Sequence, residues 1–144
     1  MLIIESSLAD FQIINKLDIK QQRLMANFIN VSETTPYIVN AFNKRSQLRP
    51  RLKKFGIYVK LILKDLQNLS PEKSYQQVLD SYLKDLGWND LQYIAFITYG
   101  SNYAQIEIIL NRVISKTNII DLKCLKVSTR QYKILYKAYT KMCK

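Results

Sequence analysis

The chain has 144 residues, 48% of them hydrophobic, which suffices for the core of one domain. Its 22 lysines and arginines against 11 acids give a net charge of +11, a balance that favours a polyanionic partner. The absence of histidine counts against a zinc-type site, and Cys124 and Cys143, which lack a partner motif, are expected to be free thiols. No apolar run approaches the ~20 residues of a membrane span. The opening MLIIESSLADF carries acids early and no basic leader, so the expectation is a cytoplasmic protein with no membrane partner.

In chain order, Leu2–Ile4 reads as a short strand and Leu8–Leu24 as a helix-like stretch of poor periodicity. Thr35-Pro36 is a helix start, with threonine as the cap and proline in the first turn. The helix runs to about Ser46, with Ile38, Val39 and Phe42 at core spacing. Pro50 forbids a helix interior, so Gln47–Lys54 reads as an extended basic connector. Phe55–Leu63 alternates as a strand.

The clearest helix follows, with Ser70 as N-cap, Pro71 at the first helical position and Gly87 as the stop. Tyr75, Val78, Leu79, Tyr82, Leu83 and Leu86 form its core stripe. Leu91–Thr98 and Ala104–Val113 read as two strands of an antiparallel hairpin across the turn Tyr99–Asn102. Val127–Met142 closes the chain as a helix with its cations on one narrow face and Leu135, Ala138 and Met142 on another. The order predicts an α+β fold, an antiparallel sheet with a central hairpin and helices packed on it.

The positive charge is not spread evenly. Residues 34–64 contain no acid but carry Lys44, Arg45, Arg49, Arg51, Lys53 and Lys54; residues 122–144 contain none but carry Arg130, Lys133, Lys137 and Lys141. Either stretch alone is compatible with simple surface solvation. Together they point to nucleic acid, and these ten residues are the candidate phosphate contacts. The ten tyrosines and the tryptophan could stack on unpaired bases, although several, including Tyr75 and Tyr82, belong to core stripes.

Gln92–Thr98, the turn, and Tyr103–Val113 together resemble the metal-binding hairpin of relaxases, the mobilisation nucleases of the HUH class. Upstream, Tyr82–Trp88, Leu69–Glu72, Thr35-Pro36 through Phe42, Arg45 and Leu48–Lys54 resemble family segments in family order. Downstream, Asn118–Asp121 resembles the strand and aspartate after the hairpin, so the likeness covers roughly residues 25–125. It implies a single relaxase-like domain over 1–144, of a plasmid or other mobile element, acting on DNA beside an intact relaxase or mobilisation protein.

The resemblance also implies a divalent metal held by histidines and a tyrosine nucleophile. The family's histidine positions fall here on Thr98, Tyr103, Gln105 and Glu107, and the nucleophile position falls near Lys16. The expectation is therefore a degenerate copy with no cofactor, no metal and no nicking activity, which binds DNA through basic surfaces with low sequence specificity. Tyr103, Gln105 and Glu107 equally fit the polar face of any half-buried strand. Three alternatives stand beside this reading: a module that docks on a conjugation protein without touching DNA, a decaying gene fragment with no maintained role, and a divergent metal-dependent nickase rebuilt around Glu107 and Asp121.

Overall fold

The computed structural model describes residues 1–64, 71–125 and 129–142. Five strands, β1 (Leu2–Leu8), β2 (Gln22–Asn27), β3 (Gly56–Lys64), β4 (Tyr93–Tyr99) and β5 (Tyr103–Asn111), form one antiparallel sheet in the order β1-β3-β5-β4-β2. Helices α1 (Ile13–Lys20) and α2 (Thr35–Ser46) cover part of one face, and α3 (Pro71–Leu86) and α4 (Thr129–Met142) cover the other. The α+β expectation holds, and the hairpin β4–β5 lies at the middle of the sheet.

Alternation decides the two faces. Ile57, Val59, Leu61 and Leu63 of β3 and Ala104, Ile106, Ile108 and Leu110 of β5 are buried against Tyr75, Val78, Leu79, Tyr82 and Leu83 of α3 and Leu135 and Ala138 of α4. The opposite parity, Ile94, Phe96 and Ile109, meets Phe11, Ile14 and Leu17 of the α1 segment and Ile38, Val39 and Phe42 of α2. At the end of α3 the stop is Gly87, as expected, with φ +80°. Its N–H bonds Lys84 O at 3.0 Å and that of Trp88 bonds Leu83 O at 2.8 Å, a pair of bonds that needs a left-handed residue between them.

Several expectations are corrected. Leu8–Leu24 is not one helical stretch: β1 continues to Leu8, α1 has eight residues, and Gln22–Asn27 is an edge strand. The alternation of β2 is broken by a register shift between Arg23 and Met25, and only Leu24 is buried, so pairing with β4 rather than local pattern makes it a strand. Thr35 does not cap α2. Thr34 stands at that position in extended conformation, while the Thr35 hydroxyl bonds the Asp18 carboxylate from inside the first turn.

The segment after α2 is not extended either. It is a run of tight turns, with Leu48 N–H on Arg45 O, Arg49 N–H on Ser46 O and Leu52 N–H on Arg49 O. The proposed cap at Ser70, the helix start at Val127, Lys126 and Cys143 lie outside the described residues, as does the side chain of Met142. Cys124 is a free, exposed cysteine.

Both sheet edges are tended by helix side chains. Tyr132 of α4 accepts the Ile3 N–H of β1 at 3.3 Å, and Gln76 of α3 donates to Leu24 O of β2 at 2.9 Å. Each bond occupies a backbone group that would otherwise offer pairing to another chain.

Candidate nucleic-acid interface

Thr98, Tyr103, Gln105 and Glu107 lie on the sheet face shared with α1 and α2, as alternation within the hairpin requires. Thr98 stands opposite Gln105, and Phe96 opposite Glu107. Thr98 and Tyr103 are exposed at the turn end, where the Tyr103 ring packs on Gly100 so closely that a Cβ there would require the ring to move. Glu107 is 6% exposed on the central strand. Lys16 is exposed on α1, and the residue at the end of that helix that reaches the central strand is Gln21.

The Glu107 carboxylate sits in a shell of donors. Gln21 Nε2 and Gln105 Nε2 donate to Oε1 at 2.6 and 2.7 Å, and the Tyr58 hydroxyl donates to Oε2 at 2.7 Å. Burial, reinforced by the bond to Glu107, pushes the Tyr58 phenol well above its ordinary range. A divalent ion requires lone pairs that converge on it, whereas here two amide N–H groups and a phenol O–H are aimed at a single carboxylate. The residues present therefore do not fit the metal that the resemblance implies. Among the described residues no three acidic or cysteine side chains gather in a group that could hold one. Asp121 is exposed and accepts the Lys123 N–H at 2.9 Å, so it does not join Glu107.

Gln21 and Tyr58 were not legible as members of this cluster. Tyr58 carried only its parity within β3, and nothing in the sequence tied Gln21 to a residue 86 positions away.

Other polar residues of the hairpin have structural duties. Asn111 Nδ2 donates to Phe42 O at 3.1 Å and to Gln92 Oε1 at 3.0 Å, joining the base of the hairpin to α2. Arg112 donates to Ile120 O at 2.9 Å and to Lys54 O at 3.0 Å, fixing the basic turns to the strand-like segment beyond β5. Its pKa is lowered, first by burial and further by the nearby Arg49 cation, with Asp121 opposing. Near α1, Arg23 grips both oxygens of Asp18 at 2.6 and 2.7 Å and also bonds Val31 O. Those bonds to Arg23 lower the Asp18 pKa.

Of the ten candidate cations, Lys44, Arg51, Lys53, Lys54, Arg130, Lys133, Lys137 and Lys141 are exposed, and Arg45 and Arg49 are half-buried. Arg45 lies over the Phe28 ring at 5.2 Å and donates to Ile114 O at 3.2 Å. Among the described residues the ion pair found is Arg23 with Asp18, and none of the ten candidates is in one. The cations of α4 occupy its exposed side, while Gln131, Leu135 and Ala138 are buried. Four tyrosines are exposed, Tyr37, Tyr99, Tyr103 and Tyr136, and Tyr136 lies on the same helix as the α4 cations.

Under α4, Gln131 Nε2 donates to Glu5 Oε2 at 2.9 Å, while Glu5 Oε1 and the Tyr82 hydroxyl are buried without a hydrogen-bond partner among the described residues. Burial raises the Glu5 pKa to about 7, against the bond from Gln131, which lowers it. No helix among the described residues is long and apolar enough to cross a membrane. No protein-family model, no curated protein and no solved structure matches the chain.

Proposed function

We propose that this chain binds DNA through its phosphates, with low sequence specificity, on a relaxase-like scaffold that does not nick. The observation that carries the reading is the set of ten candidate cations in two acid-free stretches, eight of them exposed and none in an ion pair among the described residues. Charge left unneutralised at a surface is free to replace the counterions of a polyanion. The ordered resemblance of residues 25–125 to relaxases supports DNA as that polyanion. The closed donor shell around Glu107 supports a non-catalytic role, because the one carboxylate at the former metal positions is already satisfied. On this reading the protein acts in the cytoplasm alongside an intact relaxase or mobilisation protein.

The test is fluorescence anisotropy on labelled single- and double-stranded oligonucleotides at several salt concentrations. Log affinity is expected to fall against log salt with a slope of about −3 to −5, as for four to six phosphate contacts. The variant Arg51→Glu, Lys53→Glu, Lys133→Glu, Lys137→Glu changes exposed side chains only and is expected to bind at least ~10-fold more weakly, a loss of ~1.4 kcal/mol. Supercoiled DNA with Mg²⁺ or Mn²⁺ is expected to remain unnicked and to form no covalent adduct. Absence of binding at ~50 mM salt, where phosphate contacts are strong, or equal binding by the charge-reversed variant, sinks the proposal.

A further inference from the structure

We infer that the basic turns after α2 also form a docking groove for an acidic peptide segment with aliphatic anchors, supplied by a partner protein. Two depressions adjoin there. One, of about 330 Å³, is lined by Ala41, Lys44, Arg45, Leu48 and Gln92. The other, of about 280 Å³, is lined by Leu48, Arg49, Pro50, Arg51 and Leu52. Leu48 is the wall they share, and it is 39% exposed.

The chemistry of the lining selects the occupant. Four cations rim the two depressions, and no acid occurs anywhere in residues 34–64 to neutralise them. The rest of the lining is aliphatic, from Ala41 on one side, Pro50 and Leu52 on the other, and Leu48 in both, with Gln92 the one uncharged polar residue. Phosphates would engage the cations but have no use for an exposed leucine between two hollows. Glutamate or aspartate side chains with leucine-like anchors match both features, in the manner of a helix or strand laid in a groove. The wall is also pre-set: Arg45 is held by Ile114 O and by the Phe28 ring, so it loses little freedom on binding. Phe28 itself has φ 61°, unusual for an aromatic residue, and leaves its side chain 60% exposed beside that arginine. Occupation of the groove covers part of the proposed DNA surface, so the peptide and DNA compete.

The probe is a fluorescein-labelled peptide of ~12 residues, glutamates with two leucines one helical turn apart. Its control has both leucines replaced by serine. The native protein is expected to bind the leucine peptide at least ~10-fold more tightly than the control. Leu48→Ser, an exposed change that leaves every cation in place, is expected to cost at least ~10-fold in peptide affinity and to leave DNA affinity within ~2-fold. The inference is overturned if the serine peptide binds as well as the leucine peptide, if Leu48→Ser binds the peptide as the native protein does, or if neither peptide binds. It is overturned also if Leu48→Ser loses DNA and peptide together, because Leu48 then supports the shared cationic surface as a whole and is not an anchor site for the peptide. A native protein that binds the peptide but no DNA sinks the DNA proposal and leaves the groove standing.

Discussion

Glu107 shows how a residue type that suggests chemistry can serve structure instead. In sequence it was the one credible ligand at the positions where the resemblance to relaxases would put metal-binding histidines. In the fold it is a buried carboxylate on the central strand, accepting from Gln21, Gln105 and Tyr58, which come from three different places in the chain. Removing it strands three donors at once, and an unmet buried polar group costs more than the bond it once made. Glu107→Ala is therefore expected to destabilise the fold by about 3 kcal/mol. Gln105→Ala, at a half-buried position, is expected to cost less than ~1 kcal/mol. Urea unfolding of both variants measures the contrast; a Glu107→Ala protein as stable as the native one would mean that the carboxylate is not held in this shell. Parity placed Glu107 on the right face from the sequence. Gln105 shares that face by the same parity, but Gln21 and Tyr58 were invisible there, since hydrogen bonds over long sequence separations leave no local mark.

At the level of elements, α4 meets β1 through the bond from Gln131 to Glu5, a half-buried carboxyl. Glu5 accepts from Gln131 of α4 and lies within electrostatic reach of Tyr82 of α3 and Cys124 of the turn Leu122–Leu125, and no cation among the described residues acts on it. With its pKa raised to about 7 from an ordinary 4.5, Glu5 binds its proton more tightly in the folded chain than in the unfolded one. Its contribution is therefore fully present below about pH 4.5 and lost as pH rises towards and through about 7. Glu5→Gln keeps the shape without the charge. It is expected to raise the melting temperature at pH 8 by a few degrees relative to the native chain and to flatten the fall between pH 5 and pH 7. Thermal unfolding by circular dichroism across this range decides it, and an unchanged profile would remove Glu5 from the account. The elements themselves were unevenly legible. α3 and β3 declared themselves through stripe and alternation, whereas β2 did not, because an edge strand with one buried residue and a register shift has little pattern to show.

Across the whole molecule, charge is the dominant unbalanced quantity. A net charge of +11, with Arg23–Asp18 the ion pair found among the described residues, leaves repulsion between cations largely unanswered. Added salt screens that repulsion, so raising NaCl from ~20 to ~200 mM is expected to raise the melting temperature, in the opposite sense to the effect expected on the proposed DNA binding. A melting temperature that falls with salt would mean that attractive pairs outweigh repulsion. The sequence by itself determined the charge, the acid-free stretches, the central hairpin and the α3 stripe. Each of these is a matter of composition or of a short period that backbone geometry imposes locally. Only the tertiary structure decided that Gln47–Lys54 folds into turns around Leu48, that Gln21 and Tyr58 close on Glu107, and that β2 exists at all. Those outcomes depend on which distant surfaces meet, and burial against a partner element, rather than any local preference, supplies their free energy.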